Sequence, residues 1–218
     1  MSGAVVVGES RVDKPGTPIA PDAALRVRGR GHDYVGRGAL KLLQALNVFE
    51  IPVAGRVCLD LGASTGGFTQ VLLERGAVRV YAVDVGRDQL AWLLRGDPRV
   101  ISLEQTHARD LGPSRVPEAI ELMVADVSFI SLRQALLVPL TLLAPAGELV
   151  ALVKPQFEAL AAEVEAGGLV HDAAVRDRTC REVADFLVAH GFEVRGPVPC
   201  EVLGATGNQE YLLAATRR

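Results

Sequence analysis

Apolar and polar residues follow one another in blocks that predict alternating strands and helices. Short apolar runs bounded by charged residues or glycine are typical of buried strands, and apolar residues at a helical period lie between them. The predicted strands cover 56–62, 78–84, 99–104, 121–127 and 148–155. The predicted helices cover 38–49, 66–76, 88–96, 130–147 and 172–190, with Gly76 expected to end the second of them.

Five strand–helix alternations predict an α/β fold, in which helices cover both faces of a mostly parallel sheet. Two final β segments, 192–202 and 209–217, are joined by a short turn, so we expect them to be antiparallel. The first residues predict only short strands that cannot bury a core alone. We therefore divide the chain into a small segment, 1–30, and a main domain, 31–218.

Composition excludes several classes of protein. Apolar residues make up 49% and charged residues 22% of the 218 residues, which are globular values. No apolar run reaches the roughly 18 residues of a membrane span, and the first residues lack the layout of a signal peptide. Cys58, Cys180 and Cys200 are far apart and the histidines show no ligand spacing, so we expect no metal site and a reducing, cytoplasmic location.

The strongest local motif runs from a strand through a glycine-rich turn into a helix. Its backbone N–H groups are suited to a ligand, but the spacing GxxxGG differs from the dinucleotide fingerprint. An acid at the strand end disfavours phosphate and suits a cationic amino-acid head, as in S-adenosylmethionine. The residues concerned are Asp60, Gly62, Ala63, Ser64, Thr65, Gly66, Gly67 and Phe68. A tight turn kept for packing is the alternative interpretation.

A second acid ends the next strand and strengthens the case for a nucleoside cofactor. Asp84 is placed to accept hydrogen bonds from ribose hydroxyls, and Val85 follows it. Acids at the ends of two successive parallel strands come to the same edge of the sheet, where open α/β sheets bind ligands.

Four charged residues form a candidate catalytic group: Lys41, Asp126, Lys154 and Glu210. The chain has 20 arginines and only three lysines, and lysine alone can lose its proton near neutral pH. Lys154 ends an apolar strand, which favours a pocket-facing amine. Lys41 could instead be a solvated helix residue, and Glu210 an ordinary charge at a strand end.

Residues from about 34 to 216 resemble the TlyA or hemolysin-A family of FtsJ-like ribose methyltransferases. The motifs that carry the resemblance are YVGRGALKL, CLDLGASTGGFTQVLLERGA, VYAVDVGRDQLAW, VADVSFISL, LVKPQFE and GNQEYLL. The resemblance implies a Rossmann-like sheet of seven strands with the last antiparallel, S-adenosylmethionine as cofactor, and methyl transfer to a ribose 2′-hydroxyl of ribosomal RNA, at cytidines. It also implies that Lys154 orients and deprotonates the hydroxyl. Lys41, Asp126 and Glu210 would position Lys154 and tune it.

Two departures from the family pattern affect the expected ligands. His107 stands where relatives usually have Asn beside the adenine, so it is either an adenine contact or a plain loop histidine.

Relatives begin with an RNA-binding module, of which residues 3–28 resemble only the last strands. We expect RNA contacts from Arg37 and from the arginines of the first segment, although ion pairs or a solvated edge are equally open. Those arginines are Arg26, Arg28 and Arg30.

Three other functions remain as alternatives. The chain could be a cofactor- or RNA-binding module that has lost its activity, or a membrane-active hemolysin, as the family name suggests. An N-methyltransferase commonly carries Asn/Asp-Pro-Pro-aromatic after the fourth strand, and the stretch from Asp126 to Phe129 does not match it. Core packing is the expectation for both Phe129 and Trp92.

Overall fold

Two structural units make up the computed structural model, which describes residues 5–8, 10–12, 17–20, 23–27 and 33–218. The units are Met1–Tyr34 and Val35–Arg218. In the first, three short strands form an antiparallel sheet in the order β2-β1-β3. These strands are β1 (Val5–Val7), β2 (Ser10–Arg11) and β3 (Leu25–Val27).

A seven-stranded sheet forms the centre of the second unit, in the order β6-β5-β4-β7-β8-β10-β9. Strands β4 to β8 pair in parallel, whereas β10 is antiparallel to both of its neighbours. The strands are β4 (Val57–Leu61), β5 (Arg79–Val83), β6 (Val100–Leu103), β7 (Ile120–Ala125), β8 (Leu143–Val153), β9 (Phe192–Pro199) and β10 (Tyr211–Arg217). The predicted fold class and the antiparallel final pair are confirmed.

Helices connect the strands and cover the sheet. They are α1 (Gly38–Val48), α2 (Gly67–Glu74), α3 (Trp92–Arg95), α4 (Leu132–Ala135), α5 (Pro155–Glu158) and α6 (Ala173–Ala189). The long helix α6 begins after Asp172, whose side chain accepts a hydrogen bond from the N–H of Ala174, and it is followed by Gly191 in the left-handed region. An acidic N-cap and a glycine after the last turn are the sequence signals that predict these ends.

The central strands are mostly apolar because both faces of the sheet are covered. Residues from Leu122 to Ala125 and from Leu149 to Val153 are almost completely buried. The three cysteines are free and buried, so Cys58 is the small core residue that its apolar strand predicts. Burial raises the pKa of each thiol to about 12.

The segment 130–147 differs from its prediction as a helix. Only the four residues of α4 are α-helical, a 3₁₀ turn follows at Pro139–Leu142, and β8 begins at Leu143. Proline removes a backbone donor and clashes with the preceding turn, so Pro139 cannot lie inside a continuous helix. The apolar residues beyond it instead extend β8, where Leu143 pairs with Ile120 of β7.

Two aromatic residues expected in the core are on the surface. Trp92 is 88% exposed and Phe129 is 91% exposed. Phe129 also has a φ of +65°, which is uncommon for a bulky residue. The expectation of core packing is therefore wrong for both.

Candidate active site

Four strand ends that carry charged residues meet at one edge of the sheet. Strands β4, β5, β7 and β8 are neighbours and run in parallel, so the residues after them share this carboxyl edge. Two cavities, of about 640 Å³ and about 720 Å³, open there. They have lining residues in common, namely Gly62, Ser64, Asp126, Ser128 and Phe129, so they adjoin.

The glycine-rich turn after β4 has a backbone conformation that other residues rarely adopt. Gly62 has a φ of +85°, and a Cβ atom added there would lie 2.6 Å from the carbonyl oxygen of Asp126. Gly66 has a φ of +96°, and its missing side chain leaves space for Leu90 and Leu94. The first glycine therefore allows two strand-end loops to approach closely, and the second allows α3 to pack on the turn.

Asp84 joins the end of β5 to this turn. Its Oδ2 accepts a hydrogen bond of 2.8 Å from the N–H of Ser64, and its Oδ1 accepts one of 2.7 Å from the N–H of Gly86. Asp84 lines the larger cavity together with Val85 and His107. Because a carboxylate has about four acceptor positions, Asp84 can still accept hydrogen bonds from a ligand.

Asp60 lies within β4 and is completely buried. Its Oδ2 accepts a hydrogen bond of 2.6 Å from the hydroxyl of Thr69, while Oδ1 has no hydrogen-bond partner. Burial raises the pKa of Asp60 to about 7, with smaller contributions in the same direction from Asp126 and Asp84. Asp60 does not line either cavity, and neither does Gly66. These two residues, expected to contact a cofactor, are instead in contact with the protein, Asp60 with Thr69 and Gly66 with Leu90 and Leu94.

Two lysine–carboxylate pairs lie at the smaller cavity, the first buried and the second with a partly buried carboxylate. Nζ of Lys41, on α1, lies 2.5 Å from Oε2 of Glu210, which precedes β10. Nζ of Lys154, directly after β8, lies 2.7 Å from Oδ1 of Asp126, directly after β7. All four residues line this cavity. Buried charges are tolerated when each has a partner of opposite sign, which these pairs provide.

The antiparallel strand β10 explains why Glu210 joins this group. Tyr211, its first residue, pairs with Val153, the last residue of β8. Glu210 therefore lies next to Lys154 at the same edge, although β10 runs in the opposite direction. Lys154 is 9% exposed and Glu210 3% exposed, so neither is a solvated surface charge.

The remaining residues of the glycine-rich turn line the smaller cavity: Ala63, Ser64, Thr65, Gly67 and Phe68. Arg37 also lines it, as do Gln156 and Phe157 after Lys154. The side chain of Arg26 is not among those that the structure describes, and Arg28 and Arg30 lie outside the described residues. Within the described part of the chain, no group of three or more His, Cys, Asp or Glu could hold a metal ion.

Sequence reasoning missed Ser128. Its Oγ accepts a hydrogen bond of 2.8 Å from Nζ of Lys154, and the residue lines both cavities. Its position two residues after Asp126, in the loop at the sheet edge, is the signal that could have revealed it.

Comparison with known proteins decides the family. The family model described as FtsJ-like methyltransferase matches residues 34–217. This chain belongs to the FtsJ-like methyltransferase family. The sheet edge just described is therefore the candidate active site of a methyltransferase.

Three similar proteins refine the position of the chain within the FtsJ-like family. The 16S/23S rRNA (cytidine-2′-O)-methyltransferase TlyA of Mycobacterium tuberculosis is 46% identical, over 94% of this chain and 79% of that protein. Hemolysin A of Brachyspira hyodysenteriae is 40% identical, over 82% and 75%. A solved structure from Streptococcus thermophilus has a TM-score of 0.84 and 41% identity, covering all of this chain and 80% of the other.

Proposed function

We propose that this protein transfers a methyl group from S-adenosylmethionine to a ribose 2′-hydroxyl of ribosomal RNA, with cytidine as the target nucleoside. The observation that carries the proposal is the arrangement of two adjoining cavities, with Asp84 in one and the Lys154–Asp126 ion pair in the other. The named activity of the mycobacterial relative supports the same reaction and the same nucleoside.

The larger cavity fits a nucleoside cofactor. Asp84 has free acceptor capacity for ribose hydroxyls, and His107 can offer one hydrogen bond to a base. The glycine-rich turn, which lines both cavities through Gly62 and Ser64, would hold the amino-acid end. Bound in this way, S-adenosylmethionine supplies an electrophilic methyl group on a sulfonium.

Lys154 is the proposed general base. As a neutral amine, it takes the proton from the 2′-hydroxyl while the oxygen forms its bond to the methyl carbon and the carbon–sulfur bond breaks. Asp126 holds the amine in place and stabilises the ammonium that results. The Lys41–Glu210 pair, on the same cavity, contributes no net charge and forms part of the wall next to Lys154.

RNA contacts are proposed at the cavity mouth and in the first residues of the chain. Arg37 lines the smaller cavity, and a guanidinium binds phosphate bidentately. We propose that residues 1–30 belong to an RNA-binding module, with Arg26, Arg28 and Arg30 neutralising phosphates, and that 31–218 is the methyltransferase domain. An enzyme acting on ribosomal RNA works where ribosomes are, so a cytoplasmic location follows from the proposed substrate.

Mass mapping of ribose methylation tests the proposal. Ribosomal subunits from a host lacking this protein are incubated with the full chain and S-adenosylmethionine, and 2′-O-methylated nucleosides are located by mass spectrometry. We expect new methylation on cytidine in the presence of the wild-type protein and none with Lys154→Ala. No methylation by a wild-type protein that binds the cofactor would contradict the proposal, and methylation of a base would reassign the acceptor.

The name of the Brachyspira relative raises a membrane activity as an alternative. None of the helices in the described residues has the length and apolar character to cross a membrane. A vesicle-leakage assay with the pure protein addresses this alternative directly, and we expect no leakage.

A further inference from the structure

Ser128 accepts a hydrogen bond from the amine of Lys154, which also forms an ion pair with Asp126. Nζ lies 2.8 Å from Oγ of Ser128 and 2.7 Å from Oδ1 of Asp126. We infer that Ser128 is a positioning residue, which together with Asp126 fixes the direction of the electron pair that Lys154 offers to the substrate hydroxyl. This inference rests on the proposed function, in which Lys154 acts as the base.

The assignment of Ser128 as a positioning residue follows from the number of N–H groups and lone pairs on a neutral amine. A neutral lysine has two N–H groups and one lone pair. Ser128 accepts one N–H, and the carboxylate of Asp126 attracts the amine from a second side through an ion pair, so the lone pair is directed away from both groups, and Lys154 lines the smaller cavity. Without the hydroxyl of Ser128 the amine would turn freely about its terminal bond, since lysine is a flexible chain with rotatable donors.

The backbone, rather than the lysine, holds Ser128 in place. On one side, the N–H of Asp126 donates to the carbonyl of Leu61 over 2.9 Å. On the other side, the hydroxyl of Ser131 and the N–H of Leu132 donate to the buried carboxylate of Glu158, each over 2.6 Å. Because the loop is anchored at both ends, Ser128 forms a preset acceptor, which is the condition for precise positioning.

Several charged groups share the cavity with Lys154. They are Asp126, Arg37, Lys41 and Glu210, and the ring of Phe157 lies 6.0 Å from Nζ.

The test compares Ser128→Ala, Ser128→Cys and Ser128→Thr with the wild-type full chain, using ribosomal RNA and labelled S-adenosylmethionine. Ser114→Ala is the matched control, since Ser114 is exposed in a turn and lines neither cavity. We expect Ala and Cys to lower kcat about 10- to 100-fold with KM values little changed, because a misplaced catalytic group costs this much. Thr, which keeps the hydroxyl, should restore most of the rate, and Ser114→Ala should match the wild type.

Some negative results would contradict only the role of Ser128, and others would contradict the proposed function. An active wild type with unchanged kcat in Ser128→Ala overturns this inference alone, as does a Thr variant no better than Ala. A large loss of S-adenosylmethionine affinity with kcat intact would also overturn it, since Ser128 would then contact the cofactor. Absence of transfer by the wild type, with Lys154→Ala measured in parallel, would instead contradict the proposed function. Melting curves show whether each variant is folded.

Discussion

Nζ of Lys41 and Oε2 of Glu210 lie 2.5 Å apart, although the two residues are separated by 169 positions in the chain. Both side chains are buried, so each charge depends on the other for its compensation. The pair connects α1 to the start of β10 and forms part of the cavity wall next to Lys154.

Breaking this pair should destabilise the protein. Lys41→Met or Glu210→Gln alone leaves a buried partner uncompensated, which costs about 3–5 kcal/mol of the free energy of unfolding. The double variant Lys41→Met/Glu210→Leu removes both charges and should recover most of that loss. Urea denaturation measures all three, and a double variant less stable than both single variants would contradict the pairing.

Lys154→Ala should abolish methyl transfer and leave the affinity for S-adenosylmethionine nearly unchanged. The lysine lines the smaller cavity and is absent from the lining of the larger one, where the nucleoside is proposed to bind. Calorimetric titration with the cofactor and a transfer assay with ribosomal RNA separate the two effects. Loss of cofactor binding by a folded variant would remove Lys154 from the catalytic role.

Gly62→Ala should lose cofactor binding. Its Cβ would lie 2.6 Å from the backbone of Asp126 at a φ of +85°, so the turn or the loop must move. We expect an affinity loss of more than about tenfold and a destabilisation of about 1–3 kcal/mol. Gly112→Ala is the control, because nothing lies within 4 Å of its added Cβ and its φ is not positive. Equal cofactor affinities in the two variants would count against the proposed role of the turn.

Asp60 should make stability depend on pH. Its pKa of about 7 in the folded protein exceeds the ordinary value of 3.8, so between these values the folded state binds a proton that the unfolded chain has lost. The free energy of unfolding therefore falls as the pH rises through this range. Asp60→Asn removes this titration, so the variant should gain stability relative to the wild type between pH 5 and pH 8. Thermal melts across this range measure it, and parallel curves would contradict the shift.

Local sequence patterns were sufficient to predict many helices and strands of the fold. The second helix and the long helix α6 follow from apolar spacing and end signals, and Gly76, with a φ of +88°, follows α2 as predicted. The prediction of a helix over the segment 130–147 was wrong for most of its residues, because a continuous apolar run does not distinguish a buried helix from a buried strand. Only the pairing of β8 with β7 assigns residues 143–147 to the sheet.

The sequence by itself determined the α/β class, the glycine-rich turn and the four charged residues, because each depends on local spacing or on which residue types occur. Only the tertiary structure decided which lysine pairs with which acid, that Asp60 is completely buried and lines neither cavity, and that Ser128 reaches Lys154. The physical reason is that these contacts depend on the order of strands in the sheet. With β10 inserted between β8 and β9, residues far apart in the chain become neighbours, and no local pattern records this.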